Sequence, residues 1–299
     1  MPTLPYRVVD VFTDRPFAGN PLAVVLGADG LPDADLQAIA GEFNLAETAF
    51  PLLPSEEERA AGADYRLRIF TPAHELPFAG HPSVGTAWVL AEAGRLRPGL
   101  VRQACAVGVL PLTVEPGPGR VELTGAAPVV GAVLPAAAVA ATAGLAEGDV
   151  VDGVPARLAG TGHDFAYLLV RDGALDRIGA GRVDAGRLAQ LGVTGGLSLS
   201  TWDPATRTAR SRVFPLGMDG AEDAATGSAA LGLGAAWVAA GLLAADGESA
   251  YTVLQGERIG RPSRLECTVT ARAGRAVQCR VAGMVAPVAS GEITVPPRH

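Results

Sequence analysis

Apolar and polar residues alternate along Tyr65–Phe70, the period of a strand with one buried face. Looser alternation over residues 6–12 and an apolar run over 21–26 predict two more strands, flanking the turn Phe17-Ala18-Gly19-Asn20. At Asp33–Phe43 the period changes to that of an amphipathic helix, opened by Pro32-Asp33. Residues 47–50 read as a strand, 55–63 as a charged hairpin or loop, and 101–123 as several strands. Residues 82–93 read as an apolar helix with Pro82 at the favoured first position. The stretch 125–146, rich in Ala, Pro and Val with a short helix at 135–143, reads as a crossing between two halves. The plan then repeats, with strands near 154–158, 166–170, 197–202 and 209–214 and a helix at 185–191. A long apolar helix from Gly227 and further strands up to Pro287 complete it.

Two stretches of this plan resemble each other. One runs Ile69-Phe70-Thr71-Pro72, then Phe78-Ala79-Gly80-His81-Pro82, Gly85 and Trp88. The other runs Val213-Phe214-Pro215, then Glu222-Asp223-Ala224-Ala225-Thr226-Gly227-Ser228, Gly232 and Trp237. Each is a short strand, a loop ending in a glycine turn, and the start of a helix. Such a helix end presents unpaired backbone N–H groups and a positive dipole end, which suit a carboxylate or phosphate. Strands dominate and each half owns one long apolar helix, so the expected fold class is α+β, two pseudo-symmetric halves with a curved sheet around each helix. The halves are placed at 1–125, completed by 284–299, and at 126–283. No alternating βαβ rhythm and no G-x-G-x-x-G between strand and helix is visible, which argues against a dinucleotide fold.

Composition narrows the chemistry. The chain has 299 residues, 48% hydrophobic and 18% charged, which describes a folded protein with ample core. A net charge of −7 disfavours nucleic acid or an anionic membrane as the main partner. All 24 basic residues are arginine, so neither a Schiff-base lysine nor a P-loop lysine exists. Cys105, Cys267 and Cys279 are odd in number and form no C-x-x-C pair, so they read as incidental thiols of a cytoplasmic protein. The N-terminus lacks the pattern of a signal peptide. Residues 224–245 carry no charge, but Gly227, Gly232, Gly234 and Gly241 interrupt them, and a buried central helix is expected there rather than a membrane span. His74, His81, His163 and His299 show no metal-ligand spacing, and no metal or G-x-S-x-G elbow is expected.

Glu47 stands in Phe43-Asn44-Leu45-Ala46-Glu47-Thr48-Ala49-Phe50, among apolar and small neighbours where a carboxylate is costly to bury. Such an environment suits a proton-shuttling acid/base, the alternative being a solvent-facing strand residue. His81 occupies the N-cap region of the first apolar helix, either as a simple cap or as a ligand hydrogen-bonder and proton donor. Asp223 and Ser228 are its counterparts, against the plainer reading of a loop acid and a first-turn serine. The adjacent acids Glu222 and Asp223 need partners, which favours a polar site there.

These motifs together resemble the PhzF family of phenazine biosynthesis. The resemblance rests on Phe12-Thr13, Pro16 to Ala23, Asn44 to Thr48, Glu75 to Pro82, Glu222 to Ala229, Gln255-Gly256, Gly260 to Ser263, and Gly283 leading to Pro287. It covers nearly the whole chain and implies the diaminopimelate-epimerase-like fold, with the site at the helix N-termini. It also implies a cofactor-independent isomerase that moves a proton on a small carboxylated substrate, as in trans-2,3-dihydro-3-hydroxyanthranilate isomerisation, and a homodimer. Glu47 then resembles the family's acid/base, and Gly80, His81, Asp223, Thr226, Gly227 and Ser228 the groups that bind substrate and assist. Superfamily racemases carry cysteines where this chain has Ala79 and Thr226, so a two-cysteine mechanism is excluded. Ala224 replaces a proline common among relatives. An epimerase with non-cysteine bases, or a silent binding protein, are the alternatives.

Overall fold

The computed structural model describes residues 2–297 apart from Pro118 and Ala180, so His299 lies outside the described residues. Two compact units divide the chain, Met1–Thr124 with Ala282–His299, and Gly125–Val281.

The first unit contains β1 (Thr3–Val11), β2 (Asn20–Val25), α1 (Asp33–Phe43), β3 (Glu47–Leu52), α2 (Glu56–Ala60), β4 (Tyr65–Phe70) and β5 (Glu75–Leu76). It continues with α3 (Gly80–Glu92), β6 (Gly99–Cys105), β7 (Gly108–Val114) and β8 (Arg120–Thr124). The second contains β9 (Val129–Val133), α4 (Ala136–Thr142), β10 (Arg157–Gly160), β11 (Asp164–Leu169), α5 (Ala174–Arg177) and α6 (Ala185–Gln190). After these come β12 (Gly196–Asp203), β13 (Thr208–Pro215), α7 (Gly227–Ala239), β14 (Gly247–Gln255) and β15 (Ser263–Arg272), then β16 (Arg275–Thr294), whose last part belongs to the first unit.

The units repeat one pairing scheme. Along β1-β2-β3-β4-β6-β7 the neighbours are antiparallel, parallel, antiparallel, parallel and antiparallel. Along β10-β11-β12-β13-β14-β15 the same order recurs. In the first unit the end of β16 lies between β8 and β1 and closes the sheet on itself. The anticipated α+β fold is therefore present, a mixed sheet around a central helix in each unit. One expectation fails. Each parallel pair is a βαβ crossover, and α3 and α7 are themselves the crossovers of β4–β6 and β13–β14. The rhythm is masked in the sequence because these helices are apolar on every face and lack the amphipathic period of an outer helix.

Burial explains the sequence pattern. Helix α3 touches β1, β2, β3, β7 and β8, and α7 touches β9, β10, β11 and β15, so both are buried along nearly their whole length. A Cβ on Gly85 would stand 2.7 Å from Leu22 Cδ2 and 2.8 Å from Val11 Cγ2, so this glycine sets how closely α3 lies on β1 and β2. On the outer face of the first sheet, Leu36, Ile39 and Ala40 of α1 pack with Val25, Phe50 and Phe70. Strands covered on both faces, such as β2 and β12, lose the polar/apolar alternation that β4 keeps. The uncharged run 224–245 folds as the 13-residue α7 followed by a turn, and no helix among the described residues is long and apolar enough to cross a membrane.

Three local expectations are corrected. The charged segment 55–63 is no hairpin but carries α2, started by a capping box in which Ser55 Oγ accepts from the Glu58 N–H and Glu58 accepts from the Ser55 N–H. Helix α3 begins at Gly80, so Pro82 is its third residue and not its first; a third-position N–H has no intrahelical acceptor, and proline costs nothing there. The stretch 125–146 is more than a crossing, because it supplies β9, which pairs with β10, and α4 within the second unit.

Candidate active site

Helix α1 ends where Asn44 adopts a left-handed φ of 50°, and the chain turns back so that Glu47 opens β3 beside Leu22 of β2. Thr48, Ala49 and Phe50 behind it are fully buried, while the Glu47 side chain keeps 14% of its surface exposed. The solvent-facing alternative is therefore wrong. Glu47 sits at a partly covered position where it can meet both protein and ligand.

His81 is the second residue of α3 and is 4% exposed. Its Nε2 lies 3.2 Å from Glu47 Oε2, and its Nδ1 lies 3.3 Å from Asn20 Nδ2. The Asn20 amide donates to Nδ1 in this arrangement, which leaves the ring proton on Nε2, close to the Glu47 carboxyl but not aligned as a hydrogen bond to it. Burial pushes the His81 pKa down to about 3, so the ring is neutral near neutral pH. The Glu47–His81 contact is thus one between a carboxyl and a neutral imidazole rather than an ion pair.

Asn20 opens β2 directly after Gly19, whose φ is 65° and whose Cβ would collide with the Val11 carbonyl and the Thr13 side chain. Only glycine lets the loop fold tightly enough to deliver Asn20 there. Asn20 belongs to the sequence motif from Pro16 to Ala23, but no role followed from the sequence. Its place after a glycine turn at a strand start was the available signal.

The turn that carries Gly80 and His81 is fixed from two sides. Arg68 on β4 donates to Glu75 of β5 through Nε at 2.8 Å and Nη2 at 2.6 Å, and through Nη1 to Asp33 at 2.7 Å. Inside, Ser83 Oγ donates to the Ala79 carbonyl at 2.9 Å. No side chain caps α3, and the N–H groups of its first turn, those of Gly80 and His81 among them, have no intrahelical acceptor, the arrangement that suits an anion at a helix start.

The second unit gathers the other candidates at the start of α7. Asp223 is 6% exposed; its Oδ1 accepts from the Ala224 N–H at 2.9 Å and its Oδ2 from the Thr226 hydroxyl at 2.5 Å. Gln255 completes the turn, with Nε2 donating to the Asp223 carbonyl at 2.9 Å and to Thr226 Oγ1 at 3.1 Å, and Oε1 accepting from the Thr226 N–H at 3.2 Å. Thr226 thus has its hydroxyl and its N–H committed within the protein; it holds Asp223 instead of presenting a donor to a ligand. Gly227 and Ser228 are the first two residues of α7, and Ser228 stands at the helix position that His81 has in α3. The structure accordingly brings Glu47 and His81 together, and Asp223, Thr226, Gly227 and Ser228 together.

Glu222 is turned away from this group. It forms a buried pair with Arg212, Nε–Oε2 3.0 Å and Nη2–Oε2 2.5 Å, while Arg212 Nη1 donates to the carbonyls of Leu175 and Ile178. Its other oxygen, Oε1, is buried, and Glu222 lines a small cavity with room for about one water. The need of two adjacent acids for partners is met by structure, not by a shared site.

Ala79 and Thr226 are the N-cap residues of α3 and α7, so no thiol stands at either helix start. The cysteines lie elsewhere, and burial pushes Cys279 up to about 12 and raises Cys105 and Cys267 as well, which keeps all three as thiols. Among the described residues no group of three or more His, Cys, Asp or Glu side chains is placed to hold a metal ion.

The profile of the phenazine biosynthesis-like protein (PhzC-PhzF) family matches residues 9–291. An uncharacterized isomerase of Mesorhizobium japonicum is 32% identical across 99% of this chain and 100% of its own. A trans-2,3-dihydro-3-hydroxyanthranilate isomerase of Pseudomonas fluorescens is 34% identical across 93% of this chain and 95% of its own. The crystal structure of the Bacillus anthracis phenazine biosynthesis protein of the PhzF family superposes with a TM-score of 0.85 at 27% identity, covering 99% of this chain and 100% of that one. Fold, motifs and relatives agree along nearly the whole length, and the chain belongs to the phenazine biosynthesis-like, or PhzF, family and is an isomerase.

Proposed function

We propose that this isomerase moves a proton between two carbons of a small carboxylated substrate without a cofactor, and that trans-2,3-dihydro-3-hydroxyanthranilate or a close relative is that substrate. The observation that carries the reading is the Glu47–His81–Asn20 chain, a partly exposed carboxylate backed by a neutral, oriented imidazole. Glu47 takes the proton from the first carbon, and the electron pair of the broken C–H bond shifts into the conjugated system. The same carboxylic acid returns a proton to the second carbon, so one residue serves as base and then acid. His81 stands beside the carboxyl as a neutral ring and limits where it can move through both steps. The first-turn N–H groups of α3 are suited to the substrate carboxylate, and within the second unit Asp223 and Ser228 are suited to a ligand's polar groups.

The substrate assignment draws on the Pseudomonas fluorescens relative and is tested by turnover in deuterated water. Wild type is expected to place one solvent deuteron on product carbon, and Glu47→Gln to lower that rate about 100-fold or more while keeping its fold. Exchange by Glu47→Gln at the wild-type rate would refute the mechanism. Ligand binding with no exchange in either protein would favour a silent binding protein.

A further inference from the structure

Two buried glutamines occupy corresponding strands, Gln103 on β6 and Gln255 on β14, at 0% and 1% exposure. Each reaches the first turn of its own unit's central helix. A buried amide without partners is expensive, and an apolar side chain is the ordinary choice inside such a sheet. Both amides are spent on a hydroxyl. Gln103 Nε2 donates to Ser83 Oγ at 3.0 Å, and Gln255 Nε2 donates to Thr226 Oγ1 at 3.1 Å.

The chemistry of a hydroxyl gives this its consequence. A serine or threonine oxygen can donate or accept, and its single hydrogen turns to suit. Once an amide N–H occupies the oxygen's lone pair, the hydrogen must point elsewhere. In the second unit the Thr226 hydrogen goes to Asp223 Oδ2 at 2.5 Å; in the first the Ser83 hydrogen goes to the Ala79 carbonyl at 2.9 Å. The amides are themselves oriented. The Thr226 N–H can meet only an oxygen, which sets Gln255 Oε1 toward it at 3.2 Å. The Tyr65 hydroxyl, kept protonated by burial, donates to Gln103 Oε1 at 3.0 Å. Each glutamine therefore converts a two-way hydroxyl into a one-way donor aimed at the turn that opens the central helix.

We propose that Gln103 and Gln255 are positioning residues of the isomerase, Gln255 by holding the Asp223 carboxylate through Thr226 and Gln103 by holding Ala79, and with it Gly80 and His81, through Ser83. The inference rests on the roles proposed above for His81 and Asp223.

The test pairs turnover with amide hydrogen exchange, which needs no substrate. Gln255→Met, close in volume and unable to hydrogen-bond, is expected to speed exchange at residues 223–228 about tenfold or more. Its kcat is expected to fall about tenfold or more with KM changing far less. Gln103→Met is expected to do the same at residues 79–83. If Gln255→Met does not fold, Thr226→Val against Thr226→Ser decides: serine keeps the hydroxyl and should retain kcat, valine should not. Unchanged exchange, faster exchange with unchanged kcat, or equal loss in the valine and serine variants would each overturn the proposal. A wild type inert toward every candidate carboxylate would defeat the isomerisation scheme instead, leaving exchange to decide whether the glutamines hold the turns.

Discussion

Glu47 Oε2 and His81 Nε2 stand 3.2 Å apart, yet the imidazole is neutral because burial outweighs the neighbouring carboxyl in setting its protonation. Its folded pKa of about 3 lies below the ordinary value of 6.5, so between these limits the unfolded chain binds a proton that the folded chain does not. The stability His81 allows is complete above about pH 6.5 and is lost as pH falls toward 3. Wild type should lose up to about 2 kcal/mol more than His81→Gln between pH 7.5 and pH 5 in denaturant titrations, at about 1.4 kcal/mol per unit. Equal losses in the two proteins would contradict the buried neutral imidazole.

Asn20 sets which ring nitrogen carries the proton. Asn20→Asp is nearly isosteric but places an acceptor opposite Nδ1, drawing the ring proton there and leaving a lone pair toward Glu47. A fall in kcat of about 100-fold with native circular dichroism is expected. Undiminished turnover would remove Asn20 from the proton path.

The Arg212–Glu222 pair should behave as a structural unit. Arg212→Leu strands a carboxylate of 1% side-chain exposure and is expected to destabilise the fold by about 3–5 kcal/mol. Arg212→Leu with Glu222→Leu should recover much of that loss in urea titrations. Additive losses would show that the two charges do not depend on each other.

Gly85 tests the packing of α3. Gly85→Ala should cost about 1–3 kcal/mol, since its methyl meets Leu22 and Val11 inside contact distance. Gly217→Ala, where nothing lies within 4 Å, should stay within about 0.5 kcal/mol and serves as the control in thermal melts.

Much of the frame was legible along the chain because local signals agreed with the final environment. Helix α1 and strand β4 are each covered on one face, and their periods showed it. The capping box at Ser55 and Glu58 is present in the sequence but masked by the run of charges around it. What stayed hidden depends on residues far apart in sequence: the parallel crossovers, the Arg212–Glu222 pair, and the approach of Asn20 to His81. Glu47 stood out as a costly carboxylate among apolar neighbours and His81 by its place at the start of an apolar helix, but nothing local revealed that they approach each other. Thr226 looked like a ligand-binding residue because its place at a helix start is visible, while the glutamine that occupies it lies 29 positions away.

The pairing of β16 with β1 also bears on the order in which the protein is made. Thr3 is translated long before its partner Thr294. Until then β1 waits with one edge uncovered, so the first unit closes only after all of Gly125–Val281 has been translated. The unit with the earlier strands is therefore the later of the two to close, and a chain stopped short of Ala282 leaves Glu47 and His81 in a sheet without its closing strand.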